Sequence, residues 1–287
     1  MAVVEQLFQK ITNEIPRSVR QLTEGFNNAS YLINGDKVFR LKKMSDTPFY
    51  STANEGNILK LIAPNRIGPR LFYFDYSTGN MIDRFIEGDH RFLSPDVKDE
   101  ELKSLASVLK RLHSIKGCVS EFYPKQRFDS YKQRSGNDLK DPNEEKMCEL
   151  FYSFYSSDPL VLCHNDLVKD NVIIEPVTNK ITLIDFEFAG LNVPEFDLAS
   201  VIGENEIFDP AKVDYFLSCY YGSAFDKKKR NRVAISVAYS NYLWYYWAVC
   251  RYKETNYGPF SEIAEMKLKD IELQKQYANE HPDFYLL

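Results

Sequence analysis

Residues 164–171 read HNDLVKDN, and residues 184–187 read IDFE. Together they give the pattern H-x-D-x-x-x-x-N, followed by a hydrophobic segment that ends in an acid. The carboxylate of Asp166 can accept a proton from a substrate hydroxyl, and the side-chain oxygens of Asn171 and Asp185 can hold Mg²⁺ on the phosphates of ATP. Oxygen donors are the ligands that this hard cation requires. The two motifs therefore predict phosphoryl transfer.

A predicted hairpin joins the two motifs. Residues 172–174 and 181–184 read as short apolar strands on either side of a turn at 176–180. This hairpin would bring Asn171 next to Asp185. A single motif of this length often arises by chance, whereas two in the expected order, each beside a strand, rarely do.

Composition limits the class of protein. The 287 residues carry a net charge of −5, with 44% hydrophobic and 27% charged residues, as in a globular protein of one large domain or two lobes. The negative charge gives no reason to expect nucleic-acid or anionic-membrane binding. No apolar run reaches transmembrane length, so membrane insertion is not expected, and the N-terminal residues lack a signal-peptide pattern. Five cysteines without CxxC spacing fit a reducing, cytoplasmic location and no zinc site.

The first part of the chain is predicted to be rich in strands. Alternating and apolar runs surround two turn signals, NGD at 34–36 and STG at 77–79. A helix is predicted at 53–62, where apolar residues recur on one side. The predicted strands cover residues 29–33, 37–41, 71–76 and 80–85.

The remainder of the chain is predicted to be mainly helical. Residues 101–113 carry leucines at helical spacing, and residues 135–145 are polar and predicted to form a surface loop before another helix. Further helices are predicted at 213–221, 232–253 and 262–277. The fold class is therefore α+β, with a strand-rich lobe at 1–86, a helical lobe at 87–287, and a boundary near 84–87.

The turn at 23–31 is the candidate phosphate loop. In kinases, a loop between the first two strands covers the ATP phosphates with backbone N–H groups. This loop has one glycine, Gly25, so side-chain donors from Asn27, Asn28 and Ser30 are expected to contribute. An ordinary hairpin turn explains this segment equally well.

A cation on the third strand is needed for the α- and β-phosphates, together with a carboxylate on the following helix. Arg40 lies in the apolar run VFRL, and Glu55 on the predicted helix is its natural partner. Lys42 lies on the same strand face and is the competitor for this role. The position of Arg40 within the apolar run favours the arginine.

These residues resemble the choline/ethanolamine kinase family, within the aminoglycoside-phosphotransferase-like kinases. The stretch CHNDLVKDN…ITLIDFEFAG…EFDLAS is similar to that family throughout, and the similarity runs from about residue 25 to about residue 260. The resemblance implies a protein-kinase-like two-lobe fold and ATP as the phosphoryl donor. It also implies that residues 81–86 form the hinge beside adenine, with Asp83 and Phe85 as nucleotide-binding residues.

The acceptor side depends on the late aromatic helix. Trp244 and Trp247 are three residues apart and share one helix face. Aromatic faces are the physical means of holding a quaternary ammonium, which makes no hydrogen bonds. Aromatic stripes on helices are more often hydrophobic core. However, the element Leu-Trp-x-x-Trp resembles one found in choline kinases.

The resemblance also gives roles to further acidic residues. Asp197 resembles a residue that braces the catalytic loop, and Glu204 resembles a carboxylate of the choline pocket, although a plain surface glutamate is an alternative. Glu187 follows the motif acid by two positions, where protein kinases have glycine, which argues against a protein substrate. The acceptor-binding candidates are Trp244, Trp247, Glu204, Glu187, Phe208, Tyr257 and Phe260.

The sequence thus predicts Mg²⁺- and ATP-dependent phosphorylation of choline to phosphocholine. Asp166 would orient the choline hydroxyl and accept its proton, and His164 would brace the loop without acting as the base. A kinase for ethanolamine, thiamine or an aminoglycoside is the alternative within the same class. A catalytically silent nucleotide- or choline-binding module is the alternative from another class. A homodimer is left open.

Overall fold

The computed structural model describes residues 2–24, 27–43, 48–88 and 97–280, and the predicted loop residue Gly25 lies outside them. The N-terminal part is a five-stranded antiparallel sheet with the order β1-β2-β3-β5-β4. Its strands are β1 (Val19–Glu24), β2 (Asn28–Ile33), β3 (Lys37–Lys42), β4 (Leu71–Phe74) and β5 (Met81–Arg84). Helix α1 (Ala2–Thr12) precedes the sheet, and α2 (Thr52–Ile62) connects β3 to β4.

The β2–β3 hairpin sets the register of the sheet. Asn34 and Gly35, in the three-residue connection 34–36, both have positive φ, 55° and 79°, a conformation that Gly adopts without strain. The resulting register pairs Ser30 with Arg40. A small apolar cluster packs α1 against strands β1, β2, β3 and β5. In this cluster Phe8 and Phe39 are in edge-to-face contact at 6.0 Å.

The rest of the described chain is mainly helical. The helices are α3 (Asp99–Ser114), α4 (Pro124–Ser135), α5 (Pro142–Ser157), α6 (Pro194–Gly203), α7 (Pro210–Tyr221), α8 (Lys227–Thr255) and α9 (Gly258–Glu280). Helix α8 lies in the centre, because nearly every residue from Val233 to Tyr246 is buried. No helix within the described ranges has the length and apolar character needed to cross a bilayer.

Two short antiparallel pairs carry the sequence motifs. β6 (Val161–Cys163) pairs with β9 (Gly190–Asn192), and β7 (Val172–Ile174) pairs with β8 (Ile181–Leu183). The loop between β6 and β7 therefore contains the first motif, and the loop between β8 and β9 contains the second. The β7–β8 pair is fully buried, which fits its nearly continuous apolar sequence.

The prediction of a loop at 135–145 was wrong in its extent. The connection between α4 and α5 is shorter, because α4 ends at Ser135 and α5 begins at Pro142. Proline is favourable at the first helical position, where no backbone N–H is required, and Asp141 caps the helix by accepting a hydrogen bond from the N–H of Asn143 at 3.0 Å. The polar composition of this segment reflects an exposed helix start.

Candidate active site

Asp197 on α6 holds the start of the first motif. One carboxylate oxygen accepts the backbone N–H of His164 at 2.8 Å, and the other accepts the backbone N–H of Asn165 at 2.7 Å. Nε2 of His113 contacts the same carboxylate at 3.0 Å. Asn165 has a positive φ of 66°, a conformation that needs such support. A fully buried carboxylate thus fixes the backbone on which the next residue, Asp166, is presented.

The second motif is tied to the first by two short contacts, and two more hold the first motif together. Nε2 of His164 contacts the carbonyl oxygen of Ile184 at 2.9 Å, and the backbone N–H of Ile184 donates to the carbonyl of Asn171 at 3.0 Å. Nδ2 of Asn171 donates to both the carbonyl and the carboxylate of Asp166, each at 2.9 Å. Asp166, Asn171 and Asp185 are therefore brought together, as the predicted hairpin implied.

Asp166 carries the electrostatic signature of a functional site. Burial raises its pKa well above the usual range for aspartate, and the negative charges of Asp185, Glu204 and Glu187 raise it further. The hydrogen bond from Asn171 acts in the opposite direction. A buried carboxyl group with a raised pKa is a candidate for proton transfer.

Arg40 connects the sheet to the second motif. Its guanidinium forms a buried ion pair with Glu55 of α2, and Nη1 lies 3.0 Å from Oδ1 of Asp185. The hydroxyl of Tyr50 donates to the other oxygen of Glu55 at 2.7 Å. Glu55 therefore has a partner on each oxygen, which fixes the guanidinium in place.

Lys42, the competitor of Arg40, is engaged elsewhere. Its Nζ pairs with the carboxylate of Glu187 and lies 4.1 Å from the ring centre of Tyr50. The amides of Asn27 and Asn28 also donate to Glu187, at 3.0 and 3.4 Å. Burial alone would raise the pKa of Glu187, but Lys42 and Asn27 hold it below its usual value. Glu187 thus ties the start of β2 to the second motif.

A cleft of about 580 Å³ lies beside these charges. It is bordered by the sheet on one side and by both motifs on the other. Burial raises the pKa of Asp83, which lies in its wall, to about 7, although Arg40 lowers it. The predicted nucleotide-binding residues in the lining are Ser30, Arg40, Asp83 and Phe85, and Asn171 and Asp185 line it as well.

An aromatic chain lies next to the second motif. Trp244 and Trp247 meet edge to face at 5.8 Å, and Trp247 meets Phe260 in the same way at 5.3 Å. Tyr257 packs on Phe260 at 5.7 Å. Trp244 also contacts Phe188 at 5.5 Å, and Phe188 is only three residues beyond Asp185. Four of the predicted acceptor residues are therefore together and linked to the motif.

Sequence reasoning did not single out Phe188, although it lies in the stretch that carried the family resemblance. It also did not single out Arg127, a buried cation of α4. The guanidinium of Arg127 lies 4.4 Å from the ring centre of Phe122 and 5.8 Å from that of Phe188. Arg127 is one of many polar residues in α4, so nothing in the sequence of that helix indicates such a contact.

Two of the predicted acceptor residues are placed apart from this chain of rings. Among the described residues, Phe208 packs on Tyr277 at 5.6 Å and belongs to the apolar cluster that does not include the tryptophans. Glu204, at the end of α6, is nearly buried and pairs with Nζ of Lys267 at 2.7 Å. It is therefore not the plain surface glutamate that was one alternative.

A family model described as Choline/ethanolamine kinase matches residues 5–243. The chain belongs to the choline/ethanolamine kinase family. A relative, the probable ethanolamine kinase A of Dictyostelium discoideum, is 25% identical over 278 residues, which cover 81% of this chain and 78% of that protein.

Solved structures share the fold. The choline/ethanolamine kinase family protein from Mesorhizobium loti superposes with a TM-score of 0.79 at 20% identity, covering 99% of this chain and 97% of the other. The choline kinase LicA from Streptococcus pneumoniae gives 0.74 at 22% identity, covering 94% and 98%. LicA in complex with AMP gives 0.69 at 21% identity, covering 95% and 98%. The predicted α+β, protein-kinase-like fold is confirmed.

Proposed function

We propose that the protein transfers the γ-phosphoryl group of ATP to the hydroxyl of choline, giving phosphocholine and ADP. The observation that carries this proposal is the convergence of two features. Asp166, Asn171 and Asp185 meet beside Arg40, and the aromatic chain begins at Phe188 in the same loop. The proposed phosphoryl-transfer site and the proposed surface for an organic cation would thus be adjacent.

The nucleotide would occupy the cleft between a lobe of residues 1–86 and a lobe of residues 87–287. Arg40 would contact the α- and β-phosphates, since Glu55 holds its guanidinium at the wall of the cleft. Asp83 and Phe85 would lie beside adenine, and Ser30 would donate to phosphate. Asn27 and Asn28 are bound to Glu187, so a role at the phosphates requires their amides to turn away from it.

The donor set fits Mg²⁺. Burial and the carboxylate of Glu187 raise the pKa of Asp185 above its usual value, although Arg40 lowers it. A further positive charge at this place, such as Mg²⁺, would therefore stabilise the ionised carboxylate. Nδ2 of Asn171 is used by Asp166, which leaves the amide oxygen of Asn171 as the metal ligand. When bound, Mg²⁺ neutralises charge on the phosphates. Asn171 and Asp185 would hold it there.

Asp166 would orient the choline hydroxyl and accept its proton as the phosphoryl group is transferred. Asn171 fixes the carboxylate, and Asp197 fixes the backbone that carries it. Because the transition state of phosphoryl transfer is loose, positioning and charge neutralisation supply most of the rate. Nε2 of His164 contacts the carbonyl oxygen of Ile184, which suits a role in bracing the loop.

The trimethylammonium group of choline would lie against Trp244, Trp247 and Phe260, with Tyr257 at the edge. Desolvated cation–π contacts contribute about 2 kcal/mol each. Ethanolamine is the second candidate, because its ammonium has N–H donors, which the carboxylates of Glu204 and Glu187 would accept in addition to their lysine partners. The relative from Dictyostelium discoideum is named a probable ethanolamine kinase.

A steady-state assay of ADP release against choline, ethanolamine, thiamine and an aminoglycoside tests this proposal. We expect choline to have the highest kcat/KM and ³¹P NMR to show phosphocholine as the product. A higher kcat/KM for ethanolamine than for choline would change the proposed acceptor but not the proposed phosphoryl transfer. ATP binding without acceptor-dependent ADP release would identify a silent binding module and reject the proposal.

A further inference from the structure

Lys267 of α9 is an almost fully buried cation held between two carboxylates. Its Nζ lies 2.7 Å from Oε1 of Glu204 and 3.1 Å from Oδ2 of Asp270, and the exposed fractions of these side chains are 2%, 8% and 8%. Burial alone would lower the pKa of Lys267, but the two carboxylates hold it above its ordinary value. With all three groups ionised, this triad carries one net negative charge.

The triad is close to the proposed proton acceptor. Glu204 follows the last residue of α6, and that helix end is fastened to the first motif. The backbone N–H of Leu167 donates to Oγ of Ser200 at 2.9 Å, and Nδ2 of Asn205 donates to the carbonyl of Leu167 at 3.3 Å. Consistent with this proximity, the charge of Glu204 contributes to the raised pKa of Asp166, after burial and Asp185.

Lys267 lies on the same face of α9 as Phe260, the ring that contacts Trp247, because seven residues separate the two. Helices α8 and α9 are antiparallel, because Gln274 donates to the carbonyl of Ala234 at 2.9 Å while Phe260 contacts Trp247. Lys267 precedes Gln274 by seven residues on α9, and Asn241 follows Ala234 by seven residues on α8. In this antiparallel register Lys267 is therefore opposite Asn241. Lys267 is therefore about two helical turns from the aromatic chain.

Asn241 is a second, independent sign of a ligand at this place. Its side chain is fully buried, and neither atom of its carboxamide has a hydrogen-bond partner among the residues that the structure describes. Its Oδ1 lies 4.0 Å from the position of a Cβ on Gly203, the neighbour of Glu204. A buried amide without partners is costly unless a polar group binds it.

We propose that Lys267 determines the charge of the acceptor that the site accepts. By neutralising one of two carboxylates, it leaves one net negative charge at the polar end of the acceptor site, which matches an acceptor with one positive charge. This inference rests on the proposed function. Lys267 acts through Glu204 and Asp270, and it need not touch the acceptor. A site with two unpaired carboxylates would instead favour a dication.

The experiment compares a monocation with a dication of similar size. We would measure kcat/KM for choline and for 1,3-diamino-2-propanol at neutral pH in wild type and Lys267→Met. Methionine keeps the length and helix propensity of lysine but removes its charge. We expect the ratio of diamino alcohol to choline to rise about tenfold, mainly through KM. In the matched double variant Lys267→Met/Asp270→Asn, which again carries one negative charge, the ratio should return toward wild type.

A purely structural role gives a different pattern. If Lys267→Met lowers kcat/KM for both acceptors equally, the inference is wrong. It is also wrong if the double variant does not bring the ratio of kcat/KM values back toward that of wild type. If Lys267→Met does not fold, Asp270→Asn is the deciding variant. It leaves the ion pair of Lys267 with Glu204, which has no net charge. We then expect KM for choline to rise about tenfold with little change in kcat. An unchanged KM would overturn the inference.

The wild-type enzyme separates this inference from the proposed function. If wild type phosphorylates choline and the variants leave the ratio unchanged, only the role of Lys267 is rejected. If wild type phosphorylates neither amino alcohol, the proposed function is rejected, and the role of Lys267 is rejected with it.

Discussion

Nη1 of Arg40 lies 3.0 Å from Oδ1 of Asp185, although 145 residues separate the two in the chain. This contact joins the third strand of the sheet to the acid that ends the second motif. Glu55 holds the same guanidinium from the other side. The proposed cation for phosphate and the proposed oxygen ligand for a metal thus belong to one connected set of charges.

We predict that Glu55→Gln raises KM for ATP by about tenfold, because the amide holds the guanidinium of Arg40 less firmly than a carboxylate does. Steady-state kinetics at saturating acceptor measures this. Tyr50→Phe is the matched control, since it removes only the hydroxyl contact with Glu55, and it should have a smaller effect. No change in Glu55→Gln, with a large rise of KM in Lys42→Ala, would move the phosphate contact to Lys42.

We predict that Asp185→Ala loses Mg²⁺-dependent nucleotide binding more severely than Asn171→Ala does. The first variant removes a formal charge from the proposed metal site, whereas the second removes a neutral ligand. Calorimetry of MgATP binding to both variants, with ATP and EDTA as the metal-free control, measures the difference. Intact and equal affinities would refute the assignment of both ligands.

We predict that Asp83→Asn stabilises the protein at pH 8 and that the gain shrinks toward pH 5. Burial raises the pKa of Asp83 to about 7 in the folded state, so the folded protein binds a proton that the unfolded chain releases above about pH 4. Stability from this group is therefore lost as the pH rises from about 4 to about 7.

The asparagine variant has no such loss, so its advantage should reach about 2–4 kcal/mol above pH 7. Thermal or urea unfolding of both proteins at pH 5 and pH 8 measures it. An advantage that is equal at both pH values would show that Asp83 does not titrate in this range.

Local sequence patterns predicted the elements that carry the motifs. The NGD turn, the apolar runs of β7 and β8, and the helix before β4 were all visible because neighbouring residues define them. Helices α1, α4 and α6 were not predicted. Helix α4 has a largely polar sequence, and α6 is apolar on nearly every side because it is buried. Helical periodicity is weak in both cases.

Contacts between distant residues could not be predicted from the sequence. Asn27 and Glu187 are 160 residues apart, so nothing local indicates that the amide would bind that carboxylate. The burial of Glu204 depends on Lys267, a lysine in a helix of otherwise ordinary charge pattern. The pairing of Arg40 with Glu55 was predicted, because a known arrangement of strand and helix brings the two together.

We predict that Trp247→Leu lowers kcat/KM for choline more than for ethanolamine. Leucine keeps the site apolar and helical but loses the ring, which contributes about 1–2 kcal/mol to a desolvated quaternary cation, or roughly 5- to 30-fold. Ethanolamine keeps N–H donors for carboxylates, so it depends less on aromatic faces. Kinetics with both acceptors and a thermal melt measure the effect.

Phe151→Leu is the control for the loss of a buried ring. Phe151 belongs to the same apolar cluster as the tryptophans but stacks on Tyr239 at 4.0 Å, away from the proposed acceptor. It should reduce thermal stability without changing the ratio of the two acceptors. Equal losses for both acceptors in Trp247→Leu, with a large drop in Tm, would show that the tryptophan is hydrophobic core only.

The most direct test of the central claim is phosphocholine formation by wild type and by Asp166→Asn. Wild type should convert choline and MgATP to phosphocholine. The variant should bind MgATP with nearly unchanged affinity, because Asp166 is not proposed to hold the metal, while kcat falls about 10²-fold or more with loss of the proton acceptor. Near-normal turnover in Asp166→Asn, or no phosphocholine from wild type, would contradict this account.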